Sequence, residues 1–369
     1  MDRIKGKLMN ENKTVVVGMS GGVDSSVAAY LLKKKGYNVI GVTMQIWQDG
    51  EGYGAEREGG CCGVSAVDDA RRVADVIGIP YYVMNFRDIF REKVMDYFTA
   101  EYLKGRTPNP CIACNRYVKW EALLQKSLAI GADYIATGHY AKIRKLDNGR
   151  YAIANSVTAK KDQTYALYGL TQDQLKHTIL PIGDYDKPTV RQIAEEAGLP
   201  VAHKHDSQEI CFIPDDDYAS FVEQDSGKHL PEGNFVTKDG KILGKHRGII
   251  HYTVGQRRGL GLPMGERVFV TEIRPETNEV VIGGPEDVLK KTVIADHLTF
   301  MGIPDLPMGQ AERFFAKIRY NHRGADCTIR RTGGDEITCE FDDPVRAPAP
   351  GQALVFYRDG YVAGGGIIR

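Results

Sequence analysis

The sequence predicts an α/β N-terminal domain built on a parallel sheet with helices on both faces, then a small mixed middle domain and a C-terminal antiparallel β-barrel. Three observations predict it. An apolar run, Val15-Val-Val17, passes through the small-residue turn Gly18-Met-Ser-Gly-Gly22 into a helix. Apolar strands and helical stripes then alternate as far as about residue 215, and beyond it the texture changes to short alternating runs split by turn residues. Strand–helix alternation implies parallel strands joined by crossover helices, whereas short strands at hairpin spacing close into sheets or barrels. At 369 residues the chain exceeds what one hydrophobic core supports, and the change of texture divides it into residues 1–215, 216–298 and 299–369.

In the first domain, residues 24–35 put Val27, Ala28, Leu31 and Leu32 on one helical face, with Gly36 as the stop. Residues 38–44 read as a second buried strand. Val64, Val67, Ala70, Val73, Ala74 and Ile77 form a helical stripe ended by Gly78, and residues 79–86 read as a third strand. A helix over 118–129 leads to a strand within 132–139 that ends at Gly138. A strand over 151–155 follows the Asn148-Gly149 turn, and a helix over 189–198 opens after Pro188. Sheets of this kind bind ligands at the carboxyl ends of their strands, where Ser20, Met44 and Gly138 all fall. The polar, glycine-rich stretch 48–60 reads as a mobile lid over that edge. Further on, residues 314–319, 327–331, 336–341 and 353–357 read as barrel strands, with the domain change near Thr299.

The first turn is suited to a phosphate. Ser20, Gly21 and Gly22 let the backbone approach an anion, and the helix starting near Asp24 offers it free N–H groups and the positive end of its dipole. No Gly-Lys-Ser/Thr ending supplies a lysine for β/γ-phosphate chemistry, so cleavage between the α and β phosphates fits better. Lys+Arg and Asp+Glu both number 48, so any nucleic-acid contact must be a local patch. Candidates are Lys317, Arg319, His322, Arg323, Arg330 and Arg331, and in the middle domain Lys245, His246, Arg247, Arg257 and Arg258; a solvated charged face reads as well from these residues alone. No apolar run approaches membrane-spanning length and residues 1–12 lack the apolar middle of a secretion signal, so the expected compartment is the cytoplasm.

Seven cysteines, unevenly spaced, do not make a disulfide scaffold, which leaves packing, metal or catalysis for each. Cys111 and Cys114 lie in Gly105-Arg-Thr-Pro-Asn-Pro-Cys-Ile-Ala-Cys-Asn-Arg116, which two prolines hold extended just before the 118–129 helix. With Arg106, Arg116 and Lys119 nearby, Cys114 is the better candidate nucleophile. Cys211 lies in Asp206-Ser-Gln-Glu-Ile-Cys-Phe212. Two chemistries stay open for these three thiols. They suit an iron–sulfur cluster with one open iron, such as [4Fe-4S], or zinc with a fourth ligand. They equally suit thiol exchange, in which Cys211 carries a transferable sulfur and Cys114 resolves the intermediate as a disulfide. Cys61 and Cys62 read as packing or incidental, and Cys327 and Cys339 as buried strand residues.

An ordered set of motifs then carries a resemblance over essentially the whole chain. It comprises Ser20-Gly-Gly-Val-Asp-Ser-Ser26, Arg106-Thr-Pro-Asn-Pro110 with Cys114-Asn115, Ala136-Thr-Gly-His-Tyr140, Lys161-Asp-Gln-Thr-Tyr165, Ser207-Gln-Glu-Ile-Cys-Phe212 and Tyr252-Thr-Val-Gly-Gln-Arg-Arg-Gly-Leu260. Together they resemble the bacterial tRNA-specific 2-thiouridylases of the ATP-pyrophosphatase superfamily, whose loop domain is of the adenine nucleotide alpha hydrolase type. The resemblance implies that Gly18, Met19, Ser20, Gly21, Gly22, Val23, Asp24, Ser25, Met44 and Gly138 hold ATP, with Mg²⁺ on its phosphates. It implies that Asn109, Pro110 and Cys111 meet the target base and that His139, Lys161, Asp162, Gln163, Tyr320, Asn321 and Gln352 lie on tRNA. Cys114 would be the nucleophile and Cys211 the persulfide carrier, with sulfur arriving from a cysteine desulfurase directly or through a relay protein. Many family members carry Asp where this chain has Cys111, so an acid–base role for that carboxylate does not carry over, and the third thiol strengthens the cluster reading. Two other functions compete: an ATP-dependent ligase acting on a small acceptor, which leaves Cys111, Cys114, Cys211 and the C-terminal domains unused, and a non-catalytic nucleotide-gated RNA-binding protein.

Overall fold

The computed structural model describes residues 12–46, 64–206, 210–213 and 217–369. The chain forms two compact units, Met1–Val94 with Cys111–Asp216, and Met95–Pro110 with Asp217–Arg369. Residues 48–60, read as a lid, together with Cys61 and Cys62, lie outside the described residues.

The strands of the first unit are β1 (Thr14–Gly18), β2 (Asn38–Gln45), β3 (Tyr81–Asn85), β4 (Tyr134–Ala136), a hairpin of β5 (Ala141–Lys145) and β6 (Tyr151–Asn155), and β7 (Thr178–Ile179). Five of them form a parallel sheet in the order β3-β2-β1-β4-β7. Its longer helices are α1 (Val23–Lys34), α2 (Val64–Ile77), α3, described below, and α4 (Lys187–Glu196). Val15, Val16 and Val17 are wholly buried, and β-branched residues suit a strand covered on both faces. Val15 and Val17 join Val27 and Leu32 of α1, Val73 of α2 and Val190 of α4 in one core. Gly18 faces the other way, where a Cβ would lie 3.7 Å from Leu123 of α3. Each such valine contributes roughly 1.5–3 kcal/mol by leaving water. Helix α1 ends at Gly36, whose φ of +88° only glycine adopts freely. Asp186 caps α4 by accepting from the Thr189 N–H at 2.9 Å, with Pro188 in the first turn.

Helix α3 departs from the reading of a helix over 118–129. It opens as Pro110–Ala113, continues with π-type hydrogen bonding over Cys114–Leu123, and closes as Leu124–Ala129. Pro110 is the cause, since proline at a first helical position needs no N–H partner and has its φ preset. Cys111 therefore sits in the first turn and Cys114 follows it, where the reading had an extended loop. The expected strand within 132–139 shortens to three residues, Tyr134–Ala136.

In the second unit the alternating texture reads as strands only, yet α5 (Tyr218–Ser226) follows directly, capped by Asp217 and ended by Gly227 at φ +63°. A mixed four-stranded sheet, ordered β10-β11-β8-β9, uses β8 (Gly233–Val236), β9 (Ile242–His246), β10 (Phe269–Arg274) and β11 (Glu279–Gly283). The barrel strands are β12 (Leu289–Phe300), β13 (Ala311–Lys317), β14 (Ala325–Gly333), β15 (Glu336–Arg346), β16 (Ala353–Arg358) and β17 (Tyr361–Ile368). They run in the order β12-β15-β14-β13-β16-β17 and close through β12–β17. Phe314, Phe341, Phe356, Cys327 and Cys339 fill the barrel, so both cysteines are core residues as read. Thr299 lies within β12. No helix among the described residues is long and apolar enough to cross a membrane.

Candidate functional site

The chain leaves β1 toward β2 and β3 on one side of the sheet and toward β4 and β7 on the other, so a crevice opens at the carboxyl ends of β1 and β4. The Gly18–Ser25 loop occupies it. The Met19 N–H donates to the Val42 carbonyl at 2.8 Å, Thr43 Oγ1 donates to the Met19 carbonyl at 2.7 Å, and the Tyr81 hydroxyl donates to Thr43 Oγ1 at 2.8 Å. Within the loop the Ser20 N–H donates to Ser25 Oγ at 3.1 Å, and both Ser25 Oγ and Ser26 Oγ donate to the Gly22 carbonyl, at 3.2 and 2.9 Å. Gly22 is extended and no side chain caps α1, so the first-turn N–H groups and the dipole are left for an anion. Two glycines are sterically required. A Cβ on Gly21, at φ +65°, would lie 2.3 Å from the Ala66 carbonyl oxygen, and one on Gly138 would lie 2.5 Å from the Ser25 nitrogen. Met44 is half-buried at the end of β2.

Beside the loop stands an ionic cluster that the sequence did not disclose. Lys187 Nζ reaches Asp24 Oδ1 and Oδ2 at 2.8 and 2.9 Å and Asp206 Oδ1 at 2.6 Å. Asp206 also receives Lys161 at 2.8 Å and Arg191 at 3.1 Å, and the Tyr140 hydroxyl donates to Asp24 Oδ1 at 2.7 Å. Partial burial would raise the Asp206 carboxyl, but the hydrogen bonds from Lys161 and Lys187 outweigh it and hold the group at about 2. Burial, with Asp24 beside it, pushes the Tyr140 phenol up. Only the Lys161-Asp-Gln163 motif hinted at this cluster; Lys187 and Arg191 stand in no recognisable pattern, Lys187 lying 163 residues from Asp24 in sequence and Arg191 15 residues from Asp206.

The thiols Cys111, Cys114 and Cys211 all belong to the first unit. Cys111 and Cys211 are exposed and Cys114 is half-buried. Of the cations expected around Cys114, Lys119 donates to Asn115 Oδ1 at 2.8 Å and Arg116 stacks on Tyr117, while Arg106 belongs to the second unit and pairs with Glu101 at 2.7 Å. Beyond Cys211, Phe212 is buried edge-on against Phe90, with ring centroids 5.8 Å apart. Among the described residues no three His, Cys, Asp or Glu side chains are grouped as a metal ion requires, so the donor set for a cluster is not assembled.

The residues expected on RNA divide into exposed and internally bonded ones. Tyr320 and Asn321 are exposed and Asn109 is half-buried. His139 is buried, shares a 2.7 Å hydrogen bond between Nδ1 and Thr137 Oγ1, and lies against Trp120; burial holds it well below the usual histidine range. Gln163 Oε1 accepts from the Tyr140 N–H at 2.8 Å. Asp162 accepts from the Ser156 and Thr164 N–H groups at 2.9 and 3.1 Å. In the second unit, Gln352 Nε2 donates to the Thr107 carbonyl at 2.8 Å, and the Thr107 N–H donates to the Pro350 carbonyl at 2.7 Å, which fixes the stretch leading to Asn109 and Pro110.

Family models match along the chain: one described as a tRNA methyl transferase HUP domain over residues 13–215, a tRNA methyl transferase PRC-barrel domain over 219–284, and an aminomethyltransferase beta-barrel domain over 290–368. With the loop at the sheet's switch point, they define a nucleotide-binding domain of the ATP-pyrophosphatase class joined to β-rich domains. The chain is 63% identical over 96% of its length, and 99% of the relative's, to the tRNA-specific 2-thiouridylase MnmA of Lachnoclostridium phytofermentans. It is 57% identical to that of Clostridioides difficile and 56% to that of Clostridium acetobutylicum, each over 97% of this chain and 98% and 100% of the relatives. It belongs to the tRNA-specific 2-thiouridylase family.

Proposed function

We propose that the protein is an ATP-dependent tRNA 2-thiouridylase that converts the wobble uridine, U34, to 2-thiouridine. The observation that carries the reading is an uncapped, glycine-lined phosphate loop in the same chain, and the same compact unit, as Cys114 and Cys211, in a chain that matches this family end to end. ATP binds at residues Gly18 to Ser25 with Met44 and Gly138 at its rim. The O2 of uracil attacks the α-phosphorus, the bond to the β-phosphate oxygen breaks, and pyrophosphate leaves; loop N–H groups meet the developing charge. Mg²⁺ takes most of its ligands from phosphates and water, a demand that a loop with the single carboxylate Asp24 fits, and when bound it neutralises phosphate charge.

The adenylated base is electrophilic at C2. The terminal sulfur of a Cys211 persulfide is transferred there, the C2–O bond breaks, and AMP departs. Cys114 thiolate attacks the inner sulfur of Cys211, giving a Cys114–Cys211 disulfide and releasing sulfide for the attack, and a thiol reductant restores both cysteines. A cysteine desulfurase or a relay protein supplies the persulfide, in a cytoplasm that keeps thiols reduced. Asn109, Pro110 and Cys111 meet the base, which leaves its stack to reach the site. Residues 1–215 perform the activation, and residues 216–298 and 299–369 hold the RNA.

The test is tRNA thiolation with ATP and a sulfur donor, run on anaerobically purified protein before and after iron is stripped. Stripped protein is expected to keep its activity and to lose it in Cys114→Ser and Cys211→Ser. Activity that tracks iron and acid-labile sulfide, and also requires Cys111, would instead establish the [4Fe-4S] route through Cys111, Cys114 and Cys211.

A further inference from the structure

Residues 95–110 fall within the first domain as the sequence divides it, yet they pack with the second unit, the one that resumes at Asp217. There Gly105, Arg106 and Thr107 are gripped from three sides. Gly105, at φ +67°, lies against β10, where a Cβ would meet Ile273 Cγ2 at 2.7 Å. Arg106 donates to Glu101 at 2.7 Å and to the carbonyl of Ile368, the last residue of β17, at 3.2 Å. Thr107 commits both backbone groups to the turn before β16: its N–H donates to the Pro350 carbonyl at 2.7 Å and its carbonyl accepts from Gln352 Nε2 at 2.8 Å. The residue between these two must be glycine, since a Cβ on Gly351, at φ +91°, would lie 2.9 Å from the Thr107 nitrogen. The Thr107 hydroxyl lies 3.4 Å from Thr253 Oγ1, and the Tyr102 and Tyr218 phenols hydrogen-bond with the same threonine. Thr253 in turn starts the braced backbone that presents Arg257 and Arg258, its N–H donating to Gln256 Oε1 at 3.0 Å.

We propose that Gln352 and Thr253 are positioning residues for the target uracil, which they align by holding the segment that leads into Asn109 and Pro110. The inference rests on the reading that Asn109 and Pro110 meet the base. A carbonyl accepts only from a donor, so the amide nitrogen of Gln352 faces Thr107, and its part is to hold the protein chain rather than to grip RNA. From Thr107 onward the sequence is Thr-Pro-Asn-Pro. Pro108 and Pro110 fix their own φ and confine Thr107 and Asn109 to extended backbone, so few free torsions separate the clamp from the base. An orientation set at Thr107 is therefore passed on to Asn109. The base-meeting segment is thus aligned by the unit that holds the RNA, and the loop carrying Arg257 and Arg258 shares Thr253 with it. A uracil misplaced by about 1 Å presents O2 poorly to the α-phosphorus, and the cost falls on the adenylation rate rather than on RNA affinity.

The experiment follows tRNA-dependent pyrophosphate release by the full-length protein, with ATP and Mg²⁺ saturating and tRNA varied, beside filter binding of the same tRNA. Pyrophosphate release reads base placement without a sulfur donor. In Gln352→Met and Thr253→Val, kcat is expected to fall about 10- to 100-fold while KM and Kd for tRNA stay within about twofold of wild type. Thr253→Ser, which keeps the hydroxyl, is expected to recover most of the rate. An unchanged kcat in both variants overturns the inference, and so does a weaker Kd whose effect vanishes at saturating tRNA, which makes Gln352 an RNA contact. Thr253→Ser as slow as Thr253→Val assigns the loss to packing and overturns it too. The two substitutions lie on different elements, so if one fails to fold the other decides. A wild type that binds tRNA but releases no pyrophosphate overturns the proposed function itself.

Discussion

Gly138 shows how one missing methyl group can decide a site. A Cβ there would lie 2.5 Å from the Ser25 nitrogen and 2.6 Å from the Asp24 carbonyl carbon, both backbone atoms of the turn that would face a phosphate. Neither can retreat cheaply, because Ser25 Oγ is bonded to the Ser20 N–H and Asp24 to Lys187 and Tyr140. Gly138→Ala is expected to lower stability by about 1–3 kcal/mol through overpacking and to weaken nucleotide binding by displacing the N–H groups of α1. Thermal melts and titration calorimetry with a non-hydrolysable ATP analogue check both, and unchanged affinity would mean that the loop does not need this close approach. Gly138 was legible because it ended an apolar run at a strand's carboxyl end. Lys187 was not, since its worth depends on carboxylates that folding alone brings to it.

At the scale of the element, legibility followed local pattern. β1, α1, β2 and α2 were read to within a residue or two because an apolar period marked each, with a terminating glycine for β1, α1 and α2. β17 is absent from the strands read above, because its run Gly364-Gly-Gly366 offers no side chains to alternate. Its Gly364 is instead demanded by packing, a Cβ there meeting Phe356 Cζ and the Thr299 carbonyl oxygen at 2.6 Å. β12, with Lys290 and Lys291 near its start, escaped because its alternation is broken by charge and by an irregular register with β15. The end of β9 carries a different constraint. Buried His246 accepts from the Gly248 N–H through Nδ1 at 3.0 Å, so Nε2 bears the proton and donates to the Asn278 carbonyl at 3.1 Å. Burial, the largest influence, holds this imidazole below the usual histidine value. An unfolded histidine binds its proton near 6.5. As pH falls below that value the unfolded chain therefore takes up more protons than the folded one, and stability declines until the folded pKa is passed. Melting temperature is expected to be insensitive to this group above about pH 6.5 and to fall below it. His251 and His322, also held low, act in the same direction. His246→Asn keeps an acceptor near the Nδ1 position and should flatten part of the slope; an identical pH profile would exclude His246 as a contributor.

The whole molecule has no net charge to steer it, with 48 basic and 48 acidic residues, so RNA affinity must come from where the charges stand. Several candidate cations are already committed to the fold: Arg331 pairs with Asp305, Arg319 donates to the Arg346 carbonyl and Arg330 to the Gly309 carbonyl, while Arg313 and Arg358 of the same barrel pair with Asp342 and Glu312. Such pairs contribute little to stability at the surface, and they also neutralise the charge a phosphate would seek. Arg257 and Arg258 differ. Both are exposed, on the glycine-rich connection between Gly255 and Gly265, in the motif Tyr252-Thr-Val-Gly-Gln-Arg-Arg-Gly-Leu260. Gln256 Nε2 donates to the Arg258 carbonyl at 3.1 Å and its Oε1 accepts from the Thr253 N–H at 3.0 Å, so the backbone that presents them is braced. If they contact phosphates, each releases counterions on binding, and the double replacement Arg257→Ala/Arg258→Ala should reduce the slope of log affinity against log salt by about 1–2. Binding of the ATP analogue should be untouched, because the phosphate loop is built entirely from the other compact unit. Filter binding of tRNA across a salt series, paired with nucleotide titration, separates the outcomes. A reduced slope with intact nucleotide binding assigns the motif to RNA contact, whereas an unchanged slope removes it from the interface and leaves the exposed barrel residues around Tyr320 and Asn321 to supply the charge.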